Sequence, residues 1–426
     1  MTTTLERPAR SLPPAAEGHI DSGHRARLVL VLGALIALGP LTIDMYLPAL
    51  PTIAVDLRAT SAAAQLTLTG TLLGIAVGQL VIGPVSDAVG RRGPLIVGTS
   101  VHVLASALCV VAPNILVLGG LRVLQGLGAA AASVVATAVV RDLFSGRAAA
   151  ILFSRLMLVM GVAPVLAPTL GGELLRWTEW RGVFAALAAL GLLLLGVAAW
   201  GLSETLPVEH RRRGGVVGTV RAYGSLLRDR AFVGLLLVAS LAMVALFAYV
   251  SGSSFVFQQQ YGLDTQEFGL AFGAGAVGMI AATQFNARLL RRYAPQQILA
   301  YALGAGTVAG LVLLACASTG AGGLVGVLLA LWAVLAAAGL ALPNAPALAL
   351  SRHGEAAGSA AALLGAAQFG LAALAAPLVG MLGTGSVAMA TVVAGGMVLA
   401  TTALVVVARP SRLGEMDPVA AALATH

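Results

Sequence analysis

Long apolar runs constrain this chain more than any other feature. A stretch of about twenty apolar residues crosses a bilayer, and the sequence carries twelve stretches long enough to do so, at roughly 28–50, 65–86, 94–112, 115–139, 151–174, 182–202, 230–256, 266–288, 296–317, 322–350, 357–382 and 386–408. Peptide groups in lipid must bond within their own segment, so runs this apolar form helices. Only 10% of the residues are charged, against about 25% in water-soluble domains. The expected fold is an all-α integral membrane protein of twelve helices.

The charges narrow the choice further. All 25 cations are arginine and the net charge is +8. A chain without lysine has no P-loop lysine for nucleotide phosphates and no amine for a Schiff base. ATP-driven pumping by this chain alone and light-driven pumping are thereby excluded, and no cofactor is expected. The arginines fall in short loops between apolar runs, which argues against a nucleic-acid partner. Cys109 and Cys316 lie inside apolar runs, far apart, and read as small packing residues. The six histidines show no metal-ligand spacing. His102, alone in an apolar run, reads as a packed polar residue.

Residues 1–27 are polar and proline-containing and read as a disordered tail; the run from Leu28 reads as the first helix and not a cleaved signal. With both ends placed in the cytoplasm, twenty arginines fall inside and three, Arg58, Arg176 and Arg181, outside, while Arg122 and Arg155 fall within spans. Positive residues stay inside, so this bias supports an even number of spans.

The basic segment 203–229 divides two six-span bundles, 28–202 and 230–408, with a C-terminal tail at 409–426. The halves echo one another. Gly70, Gly74 and Gly78 in span 2 are matched by Gly269 and Gly273 in span 8, and Pro168 and Gly171 in span 5 by Pro377 and Gly380 in span 11. Two repeated bundles are a transporter architecture, with the substrate site between them near mid-membrane.

Asp44 falls inside span 1. A carboxylate there costs about 2.5–3.5 kcal/mol on insertion scales, which makes it a functional candidate. The alternative is an acid near the outer surface, simply wet. Asp44 lies about 9 Å below the expected outer end of its helix, and Arg122 about 10 Å below that of span 4, by the rise of 1.5 Å per residue. Their similar depth suggests an ion pair, either structural or broken by a proton or substrate. Gln125, one turn deeper than Arg122, is placed to hydrogen-bond either.

Four stretches carry a family resemblance. Between spans 2 and 3 stands Gly83-Pro-Val-Ser-Asp87-Ala-Val-Gly90-Arg91-Arg92-Gly93, which resembles the signature loop of the major facilitator superfamily. In span 4, Arg122-x-x-Gln125-Gly126-x-Gly128-Ala129 resembles its second motif, linked to proton coupling. In span 5, Gly161-Val-Ala-Pro164-Val-Leu-Ala-Pro168-Thr-Leu-Gly171-Gly172 looks like the motif of its drug:proton antiporters, and Ser203-Glu204-Thr205-Leu206 is similar to a common ending of span 6. Asp44-Met-Tyr46-Leu-Pro-Ala-Leu-Pro51 resembles the bicyclomycin-resistance (Bcr/CflA) group, as do Ser251–Gln258, Leu342–Ala345 and Ala357–Phe369. The second copy of the signature loop, from Asn286 to Arg292, echoes the first only loosely.

The resemblance implies an exporter in the bacterial inner membrane, working as a monomer, that takes in protons and expels compounds such as bicyclomycin or chloramphenicol-type antibiotics. Asp44, Arg122 and Gln125 would couple the proton. Asp87, with Arg91 and Asp142, would latch the cytoplasmic gate against the start of span 11. Tyr46, Phe247, Phe255, Phe257, Asn344, Gln368 and Phe369 are candidate substrate contacts. The rival readings are a proton-coupled carrier of an endogenous metabolite on the same fold and a membrane enzyme or sensor. No nucleophile–base set supports an enzyme, and the tails leave little room for a sensor's output domain.

Overall fold

The computed structural model describes residues 22–144, 146–211, 215–353 and 356–409; the expected tails at 1–21 and 410–426 lie outside them. Among the described residues, twelve helical segments are long and apolar enough to cross a membrane: Leu28–Asp56, Ser61–Val89, Arg92–Val110, Ile115–Leu143, Ile151–Leu174 and Trp180–Gly201, then Arg230–Gln260, Thr265–Leu289, Pro295–Thr319, Gly323–Ser351, Ala357–Leu382 and Ser386–Ala408. They are spans 1 to 12 below. Among the described residues there is no strand. Residues 22–27, expected in the polar tail, already belong to the first helix, Ser22–Asp44. The basic connection holds a helix of its own, Gly215–Leu226.

Within the first half, spans 1–4, 1–5, 2–4, 3–4 and 3–6 pack together, and each contact has a counterpart six spans on. The halves meet where span 5 packs on span 8, span 11 on span 2, and span 1 on span 7. Large apolar side chains such as Leu192, Leu193 and Trp200 stand exposed on the outside, as lipid contact requires. This is a multi-pass membrane protein.

The glycine echo is not a structural equivalence. A Cβ at Gly70, Gly74 or Gly78 would strike span 4, within the same half, whereas Gly269 and Gly273 abut Pro168, Thr169 and Val165 of span 5, across the two halves. Small residues let backbones approach wherever the helices meet; their spacing does not say which neighbour.

Four prolines follow one rule. A proline has no N–H to give the carbonyl four residues back, and in lipid that carbonyl needs another donor. Ala373, before Pro377, accepts from Thr69 Oγ1 at 2.9 Å. Leu47, before Pro51, accepts a 3-10 bond from Leu50 and the Ser254 hydroxyl at 2.6 Å. Gly339, before Pro343, lies 2.9 Å from Thr283 Oγ1, and Leu80, before Pro84, accepts from Tyr223 of the connecting helix at 3.3 Å. The first two of these bonds join the halves, and the last ties the connection to span 2.

Candidate functional site

Span 1 presents two chemical faces. At 3.6 residues per turn, each residue turns about 100°, so Thr42 and Tyr46 share a side and Asp44 looks away from both. Tyr46 lies under Arg122, whose guanidinium carbon is 4.0 Å from the Tyr46 ring centre and 5.6 Å from that of Phe184. Arg122 Nη1 donates to Gln125 Oε1, Gln125 Nε2 to Ser106 Oγ at 2.7 Å, and Ser106 Oγ to the His102 carbonyl at 2.7 Å. The Thr67 hydroxyl donates to Ala64, leaving its oxygen to accept from Tyr46 at 3.3 Å. Arg122 and Gln125 are fully buried, and Arg122 Nε and Nη2 have no partner among the described residues. The aromatic faces stabilise such a desolvated cation by about 2 kcal/mol, which offsets only part of its burial.

Asp44, also buried, forms no ion pair among the described residues. It lies within electrostatic reach of Tyr249 on span 7, which stacks on Phe272 of span 8 at 4.9 Å. The expected Asp44–Arg122 pair is therefore not made. Depth along the membrane can be counted from helix ends, but which neighbouring helix each face meets cannot. The five other acids within the spans, Asp56, Asp87, Asp142, Glu173 and Glu267, all sit near helix ends: Asp56 pairs with Arg181 at 2.6 Å, Glu173 pairs with Arg176 at 3.1 Å, and Glu267 closes a capping box with Asp264.

The signature loop builds a charge network inside the first half. Gly90 has φ of 105°, a conformation that favours glycine, and a Cβ there would collide with the Glu204 carboxylate. Arg91 Nη1 donates to Asp87 at 2.5 Å and Ser86 at 2.8 Å, and its Nε to Asp142 at 2.8 Å. Thr205 Oγ1 also donates to Asp142, at 3.2 Å. Glu204 accepts the backbone N–H groups of Arg91, Arg92, Thr205 and Leu206. Burial pushes the Glu204 carboxyl up, but these four donors outweigh it and hold it below the usual range. Burial likewise works against the Arg91 charge, and the Asp142 and Asp87 carboxylates more than offset it, so its pKa is raised. Arg92 Nη2 donates to Ala199 O at 2.7 Å. Among the described residues Asp87 bonds to its own half and not to span 11; residues 354 and 355, just before that span, lie outside them.

The second half closes the same end differently. Asn344 Nδ2 donates to Asn286 Oδ1 at 2.8 Å, and Asp229 lies 3.0 Å from His353 Nε2 and 3.6 Å from Arg352 Nε. Arg288, Arg291 and Arg292 form no ion pair among the described residues.

Span 5 remains one helix through Pro164 and Pro168. A Cβ at Gly171 would strike the Met45 carbonyl of span 1, and one at Gly172 the Thr265 carbonyl of span 8. Gln266 Nε2 donates to the Gly172 carbonyl at 3.1 Å. A Cβ at Gly161 would lie 3.5 Å from Ile280 Cγ1. The motif thus packs span 5 against span 1 and the opposite half at once.

The substrate candidates separate into groups. Phe247 and Phe369 pack edge to face at 6.2 Å, with Phe369 and Gln368 half-buried on span 11. Phe255 is buried at the end of the span 7 helix, and Phe257, in the π-helical turn that follows, packs on Phe268 at 6.3 Å. Asn344 is engaged by Asn286 and by Leu340 O, and Tyr46 is covered by Arg122. No local motif in the sequence marks Tyr249 or Phe272. Glu204 is legible in the sequence as a carboxylate just after a span, at the end that carries the Gly90-Arg91-Arg92 loop. Among the described residues no three His, Cys, Asp or Glu side chains gather as a metal site.

Comparison with known proteins places the chain. The sequence profile of the Major Facilitator Superfamily matches residues 32–377. The uncharacterized MFS-type transporter YdgK of Bacillus subtilis is 40% identical over 80% of this chain and 85% of its own length. The bicyclomycin resistance protein homolog of Haemophilus influenzae is 31% identical over 80% and 85%. The crystal structure of a D-xylose-proton symporter superposes with a TM-score of 0.71 at 17% identity, covering 91% of this chain and 98% of its own, a likeness of fold alone.

Proposed function

This chain belongs to the Major Facilitator Superfamily and is a transporter, and from that premise we propose that it exports drug-like molecules in exchange for protons by alternating access. The observation that carries the reading is Asp44: a buried carboxyl between the halves, with no cation beside it among the described residues. A carboxylate in such a place is stabilised by taking a proton or by facing a polar or cationic substrate, and the two compete for it. The resemblance of span 5 to the antiporter motif and the similarity to a bicyclomycin resistance homolog support the direction and the substrate class.

Arg122 works from the opposite face of span 1. Its hold on Tyr46 ties the attitude of that helix to the state of the site, and Gln125 orients it. We place the arginine-rich end in the cytoplasm of a bacterial inner membrane, by the positive-inside rule. The halves are then clasped at the outer end, at Leu47–Ser254 and Ala373–Thr69, as suits a form that loads from the cytoplasm.

The test is expression in a host lacking its own efflux pumps, with accumulation of an antibiotic panel and ethidium measured for the intact protein and Asp44→Asn. The intact protein should lower accumulation of at least one compound. A proton ionophore should abolish this, and Asp44→Asn should fail while reaching the membrane. If no compound is exported, the drug assignment falls and uptake of metabolites is measured next. If Asp44→Asn exports normally, the proton site is misplaced.

A further inference from the structure

We propose that His102 is a positioning residue: it pins span 1 through Thr42 and so sets how Asp44 is presented between the halves. The proposal rests on the reading of Asp44 as the exchange site.

His102 stands on span 3, fully buried. Its Nε2 lies 2.9 Å from Thr42 Oγ1. The Thr42 hydroxyl gives its one proton to the Leu38 carbonyl at 2.6 Å, so the donor in the His102–Thr42 bond is the ring Nε2–H. The other ring nitrogen, Nδ1, is buried without a partner among the described residues. A buried polar atom left unpaired costs about 1–3 kcal/mol. A leucine or methionine would fill the same space without that cost, so packing alone does not account for the ring.

The neighbours make room for the ring. Gly128 on span 4 lets the backbone of span 3 approach, since a Cβ there would lie 2.5 Å from the Gly98 carbonyl and 2.7 Å from the His102 N and Cβ, and a Cβ at Gly191 on span 6 would lie 3.0 Å from the ring Nδ1. The first glycine sets the helix separation, and the second leaves the space that the ring fills.

What the pin holds is a weakened turn of span 1. Pro40 lies inside the helix and removes the bond to the Ile36 carbonyl. The helix ends at Asp44, one turn beyond. Thr42 sits between the two, on the face opposite Asp44. A hydrogen bond there fixes the azimuth of the last turn, and with it the direction of the carboxyl. Tyr46, one turn on along the same face, is held by Arg122. Between them, the two contacts fix the inward side of span 1 and leave Asp44 free on the other.

The test uses the full-length chain carrying Cys109→Ala, Cys316→Ala and Asp44→Cys in inside-out vesicles, and follows labelling by a membrane-impermeant maleimide. His102→Ala and Thr42→Val should each change the labelling rate in the same direction by about tenfold, the factor expected for one net hydrogen bond at the upper end of its range. The double variant should change it no further. His102→Gln, whose Nε2 can occupy the place of the ring Nε2, should restore the rate to within twofold; His102→Asn, which cannot reach, should not. Thr42→Val keeps the side-chain shape, so it reads the bond even if His102→Ala folds poorly. Unchanged rates, additive effects, or equal behaviour of Gln and Asn overturn the pin. No drug enters this measurement, so it stands apart from the export assay: unchanged labelling alongside a dead Asp44→Asn exporter removes the pin and leaves the exchange site, and altered labelling without export does the reverse.

Discussion

At the arginine-rich end, Arg91 bonds Asp87, Ser86 and Asp142, all within one half. At the far end, Ser254 and Thr69 bond carbonyls of the opposite half. Gln258 extends the first clasp, donating to both Ser254 Oγ and the Pro48 carbonyl. The Arg91 cluster is built from charges that satisfy one another within a half; the far clasp is built from single neutral bonds across the interface. Charged, mostly buried pairs are hard to break because each broken partner leaves an unpaired ion. A neutral bond to a carbonyl has a net worth of about 1 kcal/mol, and water replaces it when the interface opens. A carrier that must alternate needs the second kind of contact where its halves part.

The largest effect should come from Arg91→Ala. It leaves Asp87 and Asp142 without their cation, and thermal unfolding of the purified protein should show a loss of about 3 kcal/mol. Arg91→Lys should recover only part, since an ammonium lacks the fork that reaches both carboxylates. If Arg91→Ala shifts the outer–inner equilibrium and leaves stability alone, the contrast between the ends is wrong.

Ser254→Ala and Thr69→Val should each loosen the far end by about 1 kcal/mol, raising labelling of a cysteine between the halves from the far side roughly fivefold. Thr283→Val removes a bond of the same geometry inside one half and should lower stability without moving that equilibrium. Gln65 gives the comparison in reverse. It is buried near Gly380, and neither amide atom has a partner among the described residues, so parting the helices hydrates it. Gln65→Leu should tighten the far end and reduce the same labelling.

The smallest effect is a pH dependence. The Glu204 carboxyl, held below its ordinary value of 4.5 by backbone N–H groups against the opposing effect of burial, contributes stability that is fully present above that value. The contribution is lost as pH falls from there through the depressed folded value. The gap in melting temperature between the native chain and Glu204→Gln should therefore close as pH falls below about 4.5. A gap that persists in acid would mean that Glu204 holds the Gly90 turn by shape and not by charge.

The sequence by itself determined the spans, since hydropathy over about twenty residues leaves a helix as the only way to satisfy the backbone. It also marked the Gly90 loop, where only glycine tolerates both the turn and the approach of a carboxylate, and singled out Asp44 and Arg122 by what burial of charge demands. Proline positions told which carbonyls would lack an internal donor. Tertiary structure decided which hydroxyl answers four of them, which neighbour each glycine stripe faces, and that Arg122 of span 4 packs on one side of span 1 while Asp44 projects from the other. Period and composition are properties of one segment. Azimuth and partner are properties of two, and they are settled only when helices distant in sequence pack.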